Sequence, residues 1–145
     1  MEKHFGKVLA FAFVVLVLVV MLTSDAIFDS GDGLAHYSIA LYSWQHPELL
    51  LDHWGKPLFT LLSSPFAQLG FEGMILFNLI CATITIYLCF RIARVLEVKR
   101  DWLVVLFLFC SPIYYEVLIS GLTEIAFALF LTWTVERLCS EKYAQ

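Results

Sequence analysis

Three aspartates and one lysine carry most of the chemical interest in this sequence. Asp25, Asp29 and Asp32 follow one another closely, the last two in the string Asp29-Ser30-Gly31-Asp32-Gly33. A carboxylate near a membrane surface can take the proton of a hydroxyl or amine as it attacks, which is the work of a general base. Asp at a helix start is equally suited to capping backbone N–H groups, and the glycines flanking Asp32 leave its carboxylate open to either role. Lys56 stands in His53-Trp54-Gly55-Lys56-Pro57, directly before an apolar segment. Such a lysine serves as a snorkelling anchor or, beside a helix N-terminus, as part of a site for a lipid-linked phosphate.

The remaining polar residues are weaker signals. His36, His46 and His53 together with the aspartates leave open a divalent metal ion, because imidazole and carboxylate are ordinary ligands. Their spacing is irregular, and surface histidines need no ion. Glu116 and Glu124 fall at the ends of apolar runs, where the water interface accounts for them. Glu124 also suits the N-terminal dipole of a helix, and it faces the same side as Asp32 and Lys56. Asn78 lies inside an apolar run and reads as a bond to a neighbouring helix. Cys81, Cys89, Cys110 and Cys139 lack CxxC spacing and read as small apolar packing residues.

The elements that position these residues are membrane helices. The 145 residues are 61% hydrophobic and only 15% charged, and the apolar residues fall in long uncharged runs, not at amphipathic spacing. A net charge of −4 with scattered basic residues excludes a nucleic-acid surface. The fold class expected is all-α, a polytopic membrane bundle forming a single module with spans at about 8–24, 73–96, 102–119 and 123–139. The first run resembles a signal-peptide core but lacks the small-residue cleavage pattern, so it is read as a retained anchor. Ser111-Pro112 kinks or ends the third run, and Ser120-Gly121 separates it from the fourth.

Between the first two spans, about residues 25–72, the chain gathers its aspartates, histidines and the prolines Pro47, Pro57 and Pro65. Interfacial helices are expected at about 33–45, where Leu34, Tyr37, Leu41 and Trp44 keep helical spacing, and at about 57–69. The second is too short for a hydrocarbon core of about 30 Å and contains Pro65. Lys and Arg near spans are retained on the cytoplasmic side. With an N-terminus inside and four spans, Lys3, Lys7, Arg91, Arg94, Lys99, Arg100, Arg137 and Lys142 all fall inside, and Lys56 alone falls outside.

In this order the motifs resemble the N-terminal region of the GT-C superfamily of polytopic glycosyltransferases, closest to the protein-O-mannosyltransferase and aminoarabinose-transferase-like branch. Asp32-Gly33-Leu34-Ala35-His36-Tyr37 is similar to the family's acidic loop motif. Lys56-Pro57-Leu58-Phe59 and Leu69-Gly70-Phe71 are similar to its Lys-Pro helix, and Ser111-Pro112 and Thr123-Glu124 to its later elements. The resemblance implies a membrane enzyme, in the plasma or a bacterial inner membrane, with its functional loop on the extracytoplasmic face. It implies transfer of a sugar from a polyprenyl-phosphate donor to an acceptor whose identity is open.

By that match Asp32, with Asp29 as its rival, is the catalytic carboxylate. Lys56 contacts the donor phosphate with His53 beside it, and His36, Tyr37 and Glu124 support the polar cluster. The usual acidic pair before the aromatic residue is replaced here by Asp-Gly. Family members continue through further spans, so the chain is expected to be the N-terminal part of a longer enzyme, inactive alone. The alternative is a small non-catalytic membrane protein, an assembly partner or a binder of polyprenyl phosphate. A transporter or channel is disfavoured because Asn78 is the strongly polar residue read as lying deep in a span.

Overall fold

The structure, a computed structural model, describes residues 2–23 and 31–143, so Asp25 and Asp29 lie outside the described residues. Among the described residues the chain is all-helical, without a strand. In chain order the helices are α1 (Glu2–Thr23), α2 (Asp32–Tyr42), a short 3-10 turn (Pro47–Leu51), α3 (Pro57–Ala67), α4 (Phe71–Val95), α5 (Leu103–Phe109), α6 (Pro112–Ile119) and α7 (Glu124–Tyr143).

The 22 residues of α1 and the 25 of α4 extend about 33 and 37 Å at 1.5 Å per residue. Both helices are long and apolar enough to cross a membrane. A third crossing is counted if α6 and α7, bent by 111° at their junction, form one broken span. The third apolar run is not a single rod, for a local reason. Pro112 lacks an N–H to continue a helix and pushes Ser111 into an extended conformation (φ −99°, ψ 100°). The run therefore divides into α5 and α6, each less than half the length of α4.

Side-chain contacts set the directions of the helices. Gly6, near the start of α1, abuts the Phe90 ring near the end of α4, while Val14 and Leu18 lie beside Thr83 and Leu79. Hence α1 and α4 run antiparallel. Phe5 packs edge-on against Trp102 with ring centroids 5.4 Å apart, and Phe13 packs against Tyr114 and Tyr115. The chain from Trp102 through α6 therefore follows the direction of α1. Asn78 donates to the carbonyls of Leu118 and Leu122 at 3.3 and 3.0 Å, and Arg91 donates to Glu136 at 2.8 Å. Asn78, near the start of α4, thus meets the junction that leads into α7, and Arg91, near the end of α4, meets Glu136 late in α7, so α7 runs parallel to α4. One end of the bundle gathers Lys7, Arg91, Arg94 and Trp102; the other carries α2, α3 and the starts of α4 and α7.

Phe13, Val17, Met74, Phe77, Val105 and Leu118 form the buried core. Phe11, Leu22, Ile84, Phe107, Phe127 and Leu131 face outward. Apolar surface of that extent around a bundle suits a bilayer more than water. At the loop end, α3 spans only 11 residues, about 16 Å. Its buried face combines Phe59 with Thr60, Ser63, Ser64 and Ala67, the last four being small side chains that let neighbouring helices approach closely. Trp44 donates to Ser64 at 3.0 Å and Gln68 to the Leu41 carbonyl at 3.1 Å, which ties α3 to α2. Where α3 turns into α4, a Cβ on Gly73 would run into the Phe66 carbonyl oxygen.

Candidate functional site

Lys56 owes its position to its neighbours in the chain. Pro57 occupies the first turn of α3, where its missing N–H is harmless. The residue before a proline avoids right-handed helical backbone, and Lys56 takes φ 52° and ψ 92°. For a non-glycine residue such a backbone costs about 1–3 kcal/mol and persists only where the surroundings over-determine it. Here they do. Gly55 is buried so tightly that an added Cβ would sit 2.9 Å from the Ile39 side chain. The Thr60 hydroxyl donates to the Gly55 carbonyl, and the Thr60 N–H donates to the Lys56 carbonyl at 3.1 Å.

The ammonium completes the restraint, with Lys56 Nζ donating to Thr123 Oγ1 at 3.0 Å. Thr123 is buried and its carbonyl accepts the Phe127 N–H at 3.0 Å, so it stands at the N-terminus of α7. A side-chain cation and the positive end of a 20-residue helix thus meet at one point. Among the described residues Lys56 has no ion pair. Two of its three donors remain for an acceptor, and the combined field favours an anion.

The other residues singled out in the sequence lie on several elements of the fold. Asp32 opens α2, exposed, behind Gly31 in a left-handed conformation (φ 118°). One helical turn later His36 is buried with its ring edge-on to Phe59 of α3, centroids 5.6 Å apart. Tyr37 packs edge-on against Phe71 at 5.8 Å, joining α2 to the start of α4. Glu124 follows Thr123 directly and is exposed. His53 points outward, its side chain 92% exposed, with Asp52 3.9 Å away. Glu116 is exposed on α6.

The three histidines are dispersed: His36 against Phe59, His46 beside Glu48 at 3.2 Å, and His53 outward. Among the described residues no three His, Cys, Asp or Glu side chains converge on a point that would hold a metal. No protein-family model, curated protein or solved structure matches this chain.

Two features have no conspicuous signature in the sequence. Thr123 was of interest only as the neighbour of Glu124, whereas it is the acceptor for Lys56. Glu136 is 1% exposed inside α7, held by Arg91 Nη2 at 2.8 Å and by the Ser140 hydroxyl at 2.8 Å. Asn78 is therefore not alone as a deeply buried polar side chain in the long helices. The available signal was a glutamate in an apolar helix with an arginine at matching depth in another, since a charge so placed tends to find a partner.

Proposed function

We propose that this chain is a membrane module of a glycosyltransferase that takes sugar from a polyprenyl-phosphate donor at its loop-bearing end. The reading is supported chiefly by the Lys56–Thr123 tether, an ammonium held at the N-terminus of α7 without a carboxylate partner among the described residues. In this mechanism Asp32 or Asp29 takes the proton of the acceptor as its nucleophilic atom attacks the anomeric carbon. The bond from that carbon to the phosphate oxygen breaks, and polyprenyl phosphate leaves with its charge stabilised by Lys56 and the helix terminus. His36 and Tyr37, held by Phe59 and Phe71, keep α2 and its leading carboxylate in place against α3 and α4. The acceptor is a hydroxyl or amine on the same face.

We further propose four crossings, with α5 and α6 together as the third and α7 as the fourth, the N-terminus cytoplasmic and Lys56 extracytoplasmic. The concentration of Lys and Arg at one end of the bundle supports this orientation. The test is sugar transfer from a labelled polyprenyl-phosphate donor in membranes expressing the full reading frame that contains this chain. Lys56→Ala and the double variant Asp29→Asn/Asp32→Asn are each expected to lower transfer at least a hundredfold. Undiminished transfer by both overturns the reading.

A second reading is a non-catalytic binder of polyprenyl phosphate. It is favoured by the fact that, among the described residues, the ammonium is held by a hydroxyl and not by a carboxylate. Donor binding that depends on Lys56 without any transfer would establish it.

A further inference from the structure

At the opposite end of the bundle from Lys56, a cavity of about 700 Å³ opens between α1 and the last turns of α4. Its polar rim carries Lys7, Arg91, Arg94, Glu97 and Asp101. Arg91 is engaged by Glu136 at 2.8 Å. Among the described residues the other four charges have no ion pair, although they share one cavity. Two cations and two carboxylates therefore face the same space unmatched. The helix ends repeat the pattern, because the positive N-terminus of α1 lies beside the negative C-terminus of the antiparallel α4. Glu97 is held there in a left-handed conformation (φ 54°), with the Val98 N–H donating back to the Ala93 carbonyl at 2.8 Å.

Below the rim the walls turn apolar, with Ala10, Val14, Ile86 and Phe90. Val14 and Thr83 also line a second cavity of about 290 Å³, continued by Leu18, Leu79, Ile80 and Ile84. The two form one groove along the α1–α4 seam. From Gly6 to Leu18 it runs about 18 Å at 1.5 Å per residue, close to the depth of one leaflet of a bilayer whose core is about 30 Å.

We propose that this groove binds a phospholipid whose head carries both a phosphodiester and a primary ammonium, a phosphatidylethanolamine-type lipid. Lys7 and Arg94 take the phosphodiester, Glu97 and Asp101 take the ammonium, and one acyl chain lies along the seam past Val14 and Leu18. A purely anionic head would satisfy the cations but leave both carboxylates facing like charge. A trimethylated head would present no N–H to them. The site is distinct from the Lys56 region and does not depend on the transferase reading.

Native mass spectrometry of the full chain, released from detergent with equal amounts of phosphatidylethanolamine, phosphatidylglycerol and phosphatidylcholine, tests the proposal. Phosphatidylethanolamine should be retained about tenfold over either competitor. Glu97→Gln with Asp101→Asn should remove that preference and move it toward phosphatidylglycerol. Lys7→Gln with Arg94→Gln should lower retention of all three. Ala10→Phe, which narrows the groove without touching the rim charges, should lower all three as well, and circular dichroism distinguishes lost binding from lost fold. Retention of phosphatidylglycerol at or above phosphatidylethanolamine, retention of none, or indifference to both pairs of rim substitutions overturns it.

Discussion

Arg91 of α4 donates to Glu136 of α7 at 2.8 Å, and the carboxylate it meets is 1% exposed. Ser140 occupies the same carboxylate oxygen from one turn further along α7. This pair fixes the register of two parallel helices toward their C-terminal ends, while Asn78, nearer the start of α4, ties that helix to the Leu118 carbonyl of α6 and the Leu122 carbonyl just before α7. Parallel neighbours are not consecutive in the chain, so nothing local enforces that register.

Arg91→Ala should therefore destabilise the bundle markedly, because it strands a buried carboxylate. Breaking one side of a buried pair costs about 3–5 kcal/mol, and the partial exposure of Arg91 (41%) places the effect near the lower figure. Thermal unfolding in detergent, followed by circular dichroism, should give a clearly lower Tm than for Glu136→Gln, which leaves no buried charge.

Lys56→Gly separates backbone strain from chemistry. Removing the side chain relieves the positive φ and should hold or raise stability, with about 1 kcal/mol offered by the relaxed backbone. The same substitution removes the Thr123 tether, so binding of a polyprenyl-phosphate donor should fall at least tenfold. A variant that loses stability in step with binding would mean that the lysine is an anchor and nothing more.

Thr123→Val keeps the shape at the start of α7 while removing the acceptor of the Lys56 hydrogen bond. The expected cost is about 1 kcal/mol of stability. In a transfer assay KM for the donor should rise severalfold with kcat little changed, because the ammonium is present but no longer positioned.

Gly73→Val should be among the most damaging substitutions at the loop end. The new Cβ would occupy the space of the Phe66 carbonyl, forcing α3 away from α4. Overpacking of this kind costs about 1–3 kcal/mol, which would appear as a lower Tm and increased protease sensitivity around residues 57–70.

Sidedness can be read by cysteine labelling in a background with Cys81, Cys89, Cys110 and Cys139 replaced, since all four are free thiols. Lys56→Cys should react with a membrane-impermeant maleimide in intact cells. Arg94→Cys should react only after permeabilisation. The reverse pattern would invert the proposed orientation.

Much of the fold is legible in the amino-acid sequence. Uncharged runs long enough for a bilayer led to α1 and α4, since a buried backbone in hydrocarbon must satisfy its own hydrogen bonds. Pro47, Pro57 and Pro112 lie at the first positions of the helical segments they open, as the missing N–H requires. The count of crossings was less legible. Composition does not distinguish one continuous helix from α5 and α6 meeting at a proline, nor does it give the 111° between α6 and α7.

Lys56 was conspicuous in the sequence by its type and its isolation from the other basic residues, and both are local properties of the chain. Its partner was not. Thr123 is 67 residues away, and a hydroxyl has no charge pattern to betray it. The same holds for Arg91 with Glu136 and for the unmatched charges around the α1–α4 groove. The sequence by itself determined that the chain is helical, apolar enough for a membrane, and sharply divided between a basic end and an acidic loop. Which polar side chains meet was decided by packing alone, because those meetings depend on the direction and register of helices that are distant in the chain.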